Sequence, residues 1–142
     1  MTTPTIPILT IGYKRTVGLN AIPPVFEGTP YVITAFFDIV ETPEPYNYSP
    51  HNLAVALRAL HPRPRALVVG HAVSVSLVDE IERVWGEYVE EALKSETDDW
   101  RRSVVVSLPR THAVDPSLGP PKVDGAWAKE MMGQLDAVFR SG

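Results

Sequence analysis

Titratable side chains stand at or just after the ends of two apolar runs. His71 follows the run Ala66–Val69 and one glycine, and Asp38 is the last residue of the aromatic-rich run Tyr31–Asp38. An imidazole changes charge near neutral pH, so it can give or take a proton during a reaction. A carboxylate beside it can orient the ring. We therefore predict His71 and Asp38 as the catalytic residues.

Five further side chains are candidates for binding a substrate. A guanidinium group matches the geometry of carboxylate and phosphate, and hydroxyl or imidazole groups can donate hydrogen bonds to either. Such residues close to the ends of the apolar runs are Tyr13, Ser74, Arg110, Thr111 and His112. Together they favour a compact ligand that is anionic or carries a carbonyl group. Structural alternatives stay open, because Asp38 can also open a loop and His71 can hydrogen-bond the backbone of its own turn.

The elements that would position these residues alternate between two hydrophobic patterns. Apolar runs typical of strands occupy residues 6–13, 31–38, 65–69 and 103–108. Helical periodicity follows the later runs, over residues 50–60, 77–94 and about 127–140. This alternation predicts strands that run parallel and are joined by helices.

Two helix boundaries are less regular. The second long helix is predicted to begin after Ser76, with Asp79 completing a capping box. Between the first two strands, the pair Pro23 and Pro24 is expected to prevent a long helix. We therefore predict only a short helix there, from Pro23 to Gly28.

The predicted fold is a single α/β domain over residues 1–142. Its small, open, mostly parallel four-stranded sheet carries helices on both faces, as in flavodoxin-like or Rossmann-like three-layer folds. We expect the strand order 2-1-3-4, with a mixed sheet as the alternative because the first connection is weakly helical. Central strands are expected to hold Ile33, Val68, Val69 and Val105. The helical residues expected to pack on the sheet are Leu77, Ile81, Trp85 and Tyr88.

Parallel strands bring all candidate side chains to the carboxyl edge of the sheet, where open α/β sheets bind ligands. The loops 39–48 and 109–124 would border the same cleft. Both are long and rich in proline, so we predict that they are its most mobile walls. The site prediction requires strands three and four to be parallel, since otherwise His71 and Arg110 would follow strands that end at opposite edges.

Several familiar sequence signals are absent. The chain has no G-x-x-x-x-G-K-[ST] motif, and Gly12 and Gly18 do not complete G-x-G-x-x-G. The serine that follows Gly70 is displaced from a G-x-S-x-G nucleophile elbow. There is no cysteine, no zinc-type histidine spacing and no Lys/Arg run in a chain of net charge −4. We therefore expect no cofactor, no metal and no nucleic-acid partner.

No apolar run approaches the ~20 residues of a membrane span, and the first residues lack a signal-peptide pattern. We expect no membrane partner, a cytoplasmic location, and a homodimer through Trp127, Met131 and Met132, with core burial as their alternative. The predicted function is a small soluble enzyme with proton-transfer chemistry of isomerase, lyase or hydrolase type. The alternative is a non-catalytic ligand-binding or protein-assembly module on the same fold, so enzymatic activity itself stays open.

Overall fold

Strands and helices alternate along the chain in the computed structural model, which describes residues 5–70, 73–96, 102–107 and 125–139. The elements in chain order are β1 (Ile6–Gly12), α1 (Arg15–Phe26), β2 (Tyr31–Asp38), α2 (Pro50–Ala59), β3 (Ala66–Val69), α3 (Val75–Tyr88), a π-helical turn (Val89–Leu93), α4 (Lys94–Glu96), β4 (Val104–Ser107) and α5 (Gly125–Phe139). The turn and α4 continue directly from α3.

The four strands form one sheet in the order β2-β1-β3-β4, and every neighbouring pair is parallel. This confirms the expected order and excludes the mixed sheet for these strands. Val68 and Val69 lie in the central strand β3 and are fully buried. Ile33 and Val105 lie in β2 and β4, so their placement in central strands was wrong. Both are only half-buried, because an edge strand has a neighbour on one side only.

Helices cover both faces of the sheet and create two hydrophobic clusters. Successive residues of a strand point to opposite faces, so Leu9 and Ile11 join one cluster and Ile8 joins the other. The first cluster is completed from α2 and α3 by Leu53, Leu57, Ile81, Val84, Trp85 and Tyr88. The second is completed from α1 and α5 by Ile22, Phe26, Met131 and Leu135. The predicted core face of α3 is therefore confirmed.

The helix α1 is longer than predicted although it contains two prolines. Pro23 and Pro24 lie in its last turn and are exposed. Each proline lacks the N–H that would bond to the carbonyl four residues earlier. Those carbonyls belong to Leu19 and Asn20, which also lie on the exposed side of the helix, where water can bond to them. The short helix was therefore wrong, but Gly28 does follow the helix end, with φ 76°.

The start of α3 also differs from the prediction, because Ser74 rather than Ser76 caps the helix. The Ser74 hydroxyl accepts a hydrogen bond from the Leu77 amide at 3.3 Å. A cap at Ser74 places Val73 and Val78 at the two positions of a hydrophobic staple; Val73 is buried in the first hydrophobic cluster, and Val78 packs against it. The apolar residues on either side of the helix start thus determine that Ser74, and not Ser76, caps the helix.

The helix α5 contributes its methionines to the core. Met131 is fully buried in the second cluster, and Met132 is half-buried against it. Met131 therefore follows the core alternative and cannot form a dimer face. Within the described ranges, no helix is both long enough and apolar enough to cross a membrane.

Candidate functional site

The carboxyl ends of the four parallel strands meet at one edge of the sheet. At the centre of this edge, the ends of β1 and β3 are neighbours, and the Gly70 amide donates to the Ile11 carbonyl oxygen at 2.9 Å. The chain leaves β1 towards β2 on one side and leaves β3 towards β4 on the other. Such a divergence is the switch point at which open α/β sheets hold ligands.

Three of the seven predicted site residues lie in the described part of the chain. The structure places Tyr13, Asp38 and Ser74 at the carboxyl edge, directly after β1, at the end of β2 and before α3. Tyr13 ties two of these segments together, because its carbonyl oxygen accepts from the amides of Ile39 and Val40 at 3.3 and 3.2 Å. The four other candidates lie outside the described residues, and their roles stay predictions: His71, Arg110, Thr111 and His112.

The carboxylate of Asp38 is bound within its own loop. One oxygen accepts from the amides of Glu41 and Thr42, both at 2.6 Å, and the other accepts from the Thr42 hydroxyl. The side chain is buried, with 1% of its surface exposed. Burial alone would raise the pKa of Asp38, but the hydrogen bonds from Thr42 and Glu41 outweigh it, and the pKa is lowered. Asp38 is therefore ionised and closed to solvent, which supports its loop-opening alternative.

The turn made by Asp38 brings Glu41 to the N-terminus of α1. The Glu41 carboxylate accepts from the Thr16 amide at 2.8 Å and from the Thr16 hydroxyl at 3.0 and 2.9 Å. A negative charge is stabilised there by the helix dipole and by free backbone amides. The protein therefore fills with its own carboxylate the position that a bound anion takes in many phosphate sites. Sequence reasoning missed this contact, because 25 residues separate its partners.

The rest of the loop after β2 is also fastened to the fold. The Tyr48 amide donates to the Asp38 carbonyl oxygen at 2.8 Å, and the Tyr48 hydroxyl donates to Glu80 Oε1 at 3.0 Å. Burial and the bond to Glu80 raise the pKa of Tyr48 above its usual value, so the hydroxyl keeps its proton. These bonds restrain the loop 39–48, which argues against the mobility predicted for it. The other predicted mobile loop, 109–124, lies outside the described residues.

On the β3 side of the edge, the hydroxyl groups of Ser74 and Ser76 can still form hydrogen bonds with a ligand. Ser74 accepts from the Leu77 amide, and its oxygen lies 3.4 Å from the Ser76 hydroxyl oxygen. A serine hydroxyl can still donate while it accepts. Both serines are exposed, and the first turn of α3 contains no acidic residue. A ligand oxygen at this helix start would therefore meet hydrogen-bond donors, and the first turn of the helix adds no carboxylate.

Gly12 at the end of β1 and Gly18 in α1 serve packing rather than ligand approach. A Cβ atom at Gly12 would come within 2.8 Å of the Phe36 ring, and one at Gly18 would overlap two atoms of the same ring. The buried Phe36 ring therefore takes the space that both missing side chains leave. This contact explains why glycines occupy the end of β1 and the first turn of α1 without forming a dinucleotide-binding motif.

Thr10 holds a buried hydroxyl beneath this edge. The residue lies in β1, two positions before Gly12, and 1% of its surface is exposed. Within the described residues, its hydroxyl has no hydrogen-bond partner. A buried hydroxyl without a partner costs about 1–3 kcal/mol, so removal of the Thr10 hydroxyl is expected to raise stability.

Over the described ranges, no three His, Asp or Glu side chains are grouped so that they could hold a metal ion. Comparison of the chain with protein-family models, with curated proteins and with solved structures gives no match.

Proposed function

We propose that the protein binds a compact metabolite, anionic or carbonyl-bearing, at the carboxyl edge between the segments that follow β1 and β3. The observation that carries this proposal is the topology. The strands β1 and β3 are parallel neighbours whose connections leave in opposite directions. Ligand sites of open α/β sheets form at such a divergence. Because β4 is parallel to β3, the carboxyl end of β4 also lies at this edge.

The charges at the two helix starts favour the β3 side for the ligand's anionic or carbonyl oxygen. At α1, the amide and hydroxyl of Thr16 are already bonded to Glu41. At α3, the first turn has no acidic residue, and the Ser74 hydroxyl is exposed. Helix N-termini stabilise negative charge. The ligand oxygen therefore binds near Ser74, with Tyr13 across the crevice.

In this proposal His71 transfers a proton to or from the bound ligand, as in an isomerase, lyase or hydrolase. Arg110 pairs with the anionic group, and Thr111 and His112 add hydrogen bonds. The bonds of Asp38 support a positioning role instead of a proton-carrying one. Its carboxylate holds the turn that keeps Glu41 on α1 and so keeps the ligand anion on the β3 side.

A second candidate function is a non-catalytic binding module on the same fold. The bonds of Asp38 favour it, because they hold within the loop the carboxylate that was predicted to orient His71. Both candidates share the ligand site and differ only in whether His71 moves a proton. An experiment on His71 therefore separates them.

The test is an NMR titration of the ¹⁵N-labelled protein with pyruvate, malonate and inorganic phosphate. At least one probe is expected to shift the amide signals of Tyr13, Gly70 and Ser74. Arg110→Ala should weaken that binding tenfold or more, whereas Arg83→Ala, which removes an exposed arginine on α3, should leave it unchanged. The proposed site is wrong if no probe shifts these signals.

The proton-transfer step is tested with pyruvate in D₂O, in which an acid–base catalyst exchanges the methyl protons for deuterium. Exchange that disappears in a His71→Ala variant still able to bind pyruvate supports the enzyme. Binding without exchange supports the module. This assay reports proton transfer next to a carbonyl group, the chemistry that a single imidazole at neutral pH can perform.

Two further predictions accompany this function. A cytoplasmic location is one of them. The other is a homodimer, for which Met132 remains a candidate contact because Met131 is buried, whereas the side chain of Trp127 lies outside the described part of the chain. Sedimentation velocity over a range of protein concentrations checks the dimer. A single species at the mass of one chain, 15.7 kDa, would contradict it.

A further inference from the structure

Glycine at a particular position usually has a visible structural reason. Gly12 and Gly18 make room for the ring of Phe36, and Gly28 has a positive φ that other residues rarely adopt. Each of these glycines therefore belongs to the fold. Substituting any of them would disturb packing or backbone conformation, whatever the function of the protein.

Gly70 differs from these three glycines. It directly follows β3 and is half-buried, and its φ lies outside the left-handed region. Among the described residues, a Cβ atom at Gly70 would meet only the Gly12 Cα and the Ile11 carbonyl oxygen, both at 3.7 Å. That distance is an ordinary van der Waals contact. The described structure thus tolerates alanine at position 70.

Among the described residues other than its chain neighbours, nothing comes closer than 3.7 Å to the Cβ position of Gly70, at the switch point. The two atoms nearest to its Cβ position belong to the end of β1, so a methyl group there would contact the end of the neighbouring central strand. We infer that Gly70 determines access to the ligand site, because the ligand uses the space that a side chain would fill. This inference rests on the proposed function and adds a specificity-determining residue to it.

A ligand that uses this space is compact and approaches the backbone of β1 and β3 closely. The Gly70 amide is bonded to Ile11, and the Gly70 carbonyl oxygen accepts from the Val73 amide at 3.2 Å. The backbone is therefore fixed and cannot easily move aside for a methyl group. One extra methylene-sized group in a fitted pocket changes binding about 10–200-fold.

The test compares Gly70→Ala with Gly86→Ala. Gly86 lies on the exposed side of α3, where a Cβ atom would meet nothing within 4 Å. Both variants should keep or raise the melting temperature, because alanine restricts the unfolded chain more than glycine does. In the NMR titration with pyruvate, malonate and phosphate, Gly70→Ala should weaken binding at least tenfold, whereas Gly86→Ala should bind like the natural sequence.

Three outcomes overturn the inference in distinguishable ways. If Gly70→Ala binds the probe as tightly as the natural sequence does, the ligand site stands and Gly70 does not control it. If Gly70→Ala loses both binding and thermal stability, the glycine is required by the fold. If no probe binds at the carboxyl edge of the natural sequence, the proposed function falls together with the inference.

Discussion

The ends of the two central strands differ in how their surroundings are filled. After β1, the Phe36 ring fills the space beside Gly12, and Glu41 occupies the N-terminus of α1. After β3, a Cβ atom at Gly70 would meet no described atom closer than 3.7 Å, and α3 begins with an exposed serine and no acidic residue in its first turn. The two ends are neighbours in the same sheet, so their difference comes from side chains and not from topology.

This difference separates the polar groups that hold the fold from those that remain for a ligand. On the β1 side, the carboxylates of Asp38 and Glu41 are both consumed by hydrogen bonds within the protein. A titratable residue at the end of a strand is therefore weak evidence for catalysis until its partners are known. On the β3 side, the hydroxyl of Ser74 can still donate a hydrogen bond.

The largest expected change in stability on the β1 side follows from Asp38→Asn. The asparagine amide would place its own N–H donors against the N–H and O–H donors of Glu41 and Thr42, so hydrogen bonds would be lost together with the negative charge. Hydrogen bonds to a charged group contribute about 1.5–3 kcal/mol, so the free energy of unfolding should fall by about that amount. Urea denaturation measures it. The exposed Asp79→Asn is the control and should change the free energy of unfolding by less than about 0.5 kcal/mol.

The same residue predicts how stability depends on pH. The pKa of Asp38 in the folded protein lies below its usual value of 3.8, so the unfolded chain binds the proton more readily. The stabilisation by this carboxylate is therefore complete above about pH 5 and is lost as the pH falls through 3.8 towards the lowered pKa. Asp38→Asn should flatten the pH dependence of stability in that window. An unchanged profile would show that the carboxylate is not held as described.

The packing on the β1 side is tested by Gly18→Ala. The added methyl group would overlap the Phe36 ring, and overpacking of this kind costs about 1–3 kcal/mol. The double variant Gly18→Ala/Phe36→Leu should recover part of that loss, because leucine lacks the ring atoms that clash. Gly86→Ala, with open space around its Cβ, is the control and should raise stability by about 0.5–1 kcal/mol. Equal effects at positions 18 and 86 would contradict the described packing.

The hydrophobic patterns of individual segments predicted the strands and their order well. The run Tyr31–Asp38 was located in full, and the strand order followed from alternation and right-handed connections. The start of α3 was misplaced by two residues, since two serines precede the same periodic pattern. The length of α1 was missed, because the cost of Pro23 and Pro24 depends on the exposure of carbonyls one turn earlier, and the sequence does not show that exposure.

Contacts between segments limit what the sequence can say about the site. The position of Asp38 at the carboxyl edge was predictable from the sequence. Its hydrogen bonds to the loop were not, because they depend on how residues 39–42 turn back towards its carboxylate. The pairing of Glu41 with Thr16 joins two loops and leaves no trace in local spacing. Polar residues at strand ends can thus be located from sequence, whereas their availability to a ligand requires the three-dimensional contacts.

A smaller effect of opposite sign is expected for Thr10→Val. Valine has nearly the same shape as threonine and removes the buried hydroxyl that has no described partner. The free energy of unfolding should rise by about 1 kcal/mol, which thermal and urea unfolding both measure. A loss of stability would show that the hydroxyl has a partner. If the variant is more stable but binds pyruvate, malonate or phosphate more weakly, Thr10 belongs to the ligand site, and the β1 side is less closed than described.

The smallest expected effect tests the contact between the Glu41 carboxylate and Thr16 at the N-terminus of α1. Glu41→Gln removes the negative charge at the helix N-terminus, and Glu44→Gln removes the same charge from an exposed residue in the same loop. Charge at a helix end contributes about 0.3–1 kcal/mol and is screened by salt. Glu41→Gln should therefore lower the free energy of unfolding by about 0.5 kcal/mol in dilute buffer and by less in 0.5 M salt, while Glu44→Gln should have no such effect. Hydrogen exchange at the Thr16 amide should be faster in Glu41→Gln only. Equal behaviour of the two variants would mean that Glu41 does not occupy the start of α1, and an anion could then bind on either side of the switch point.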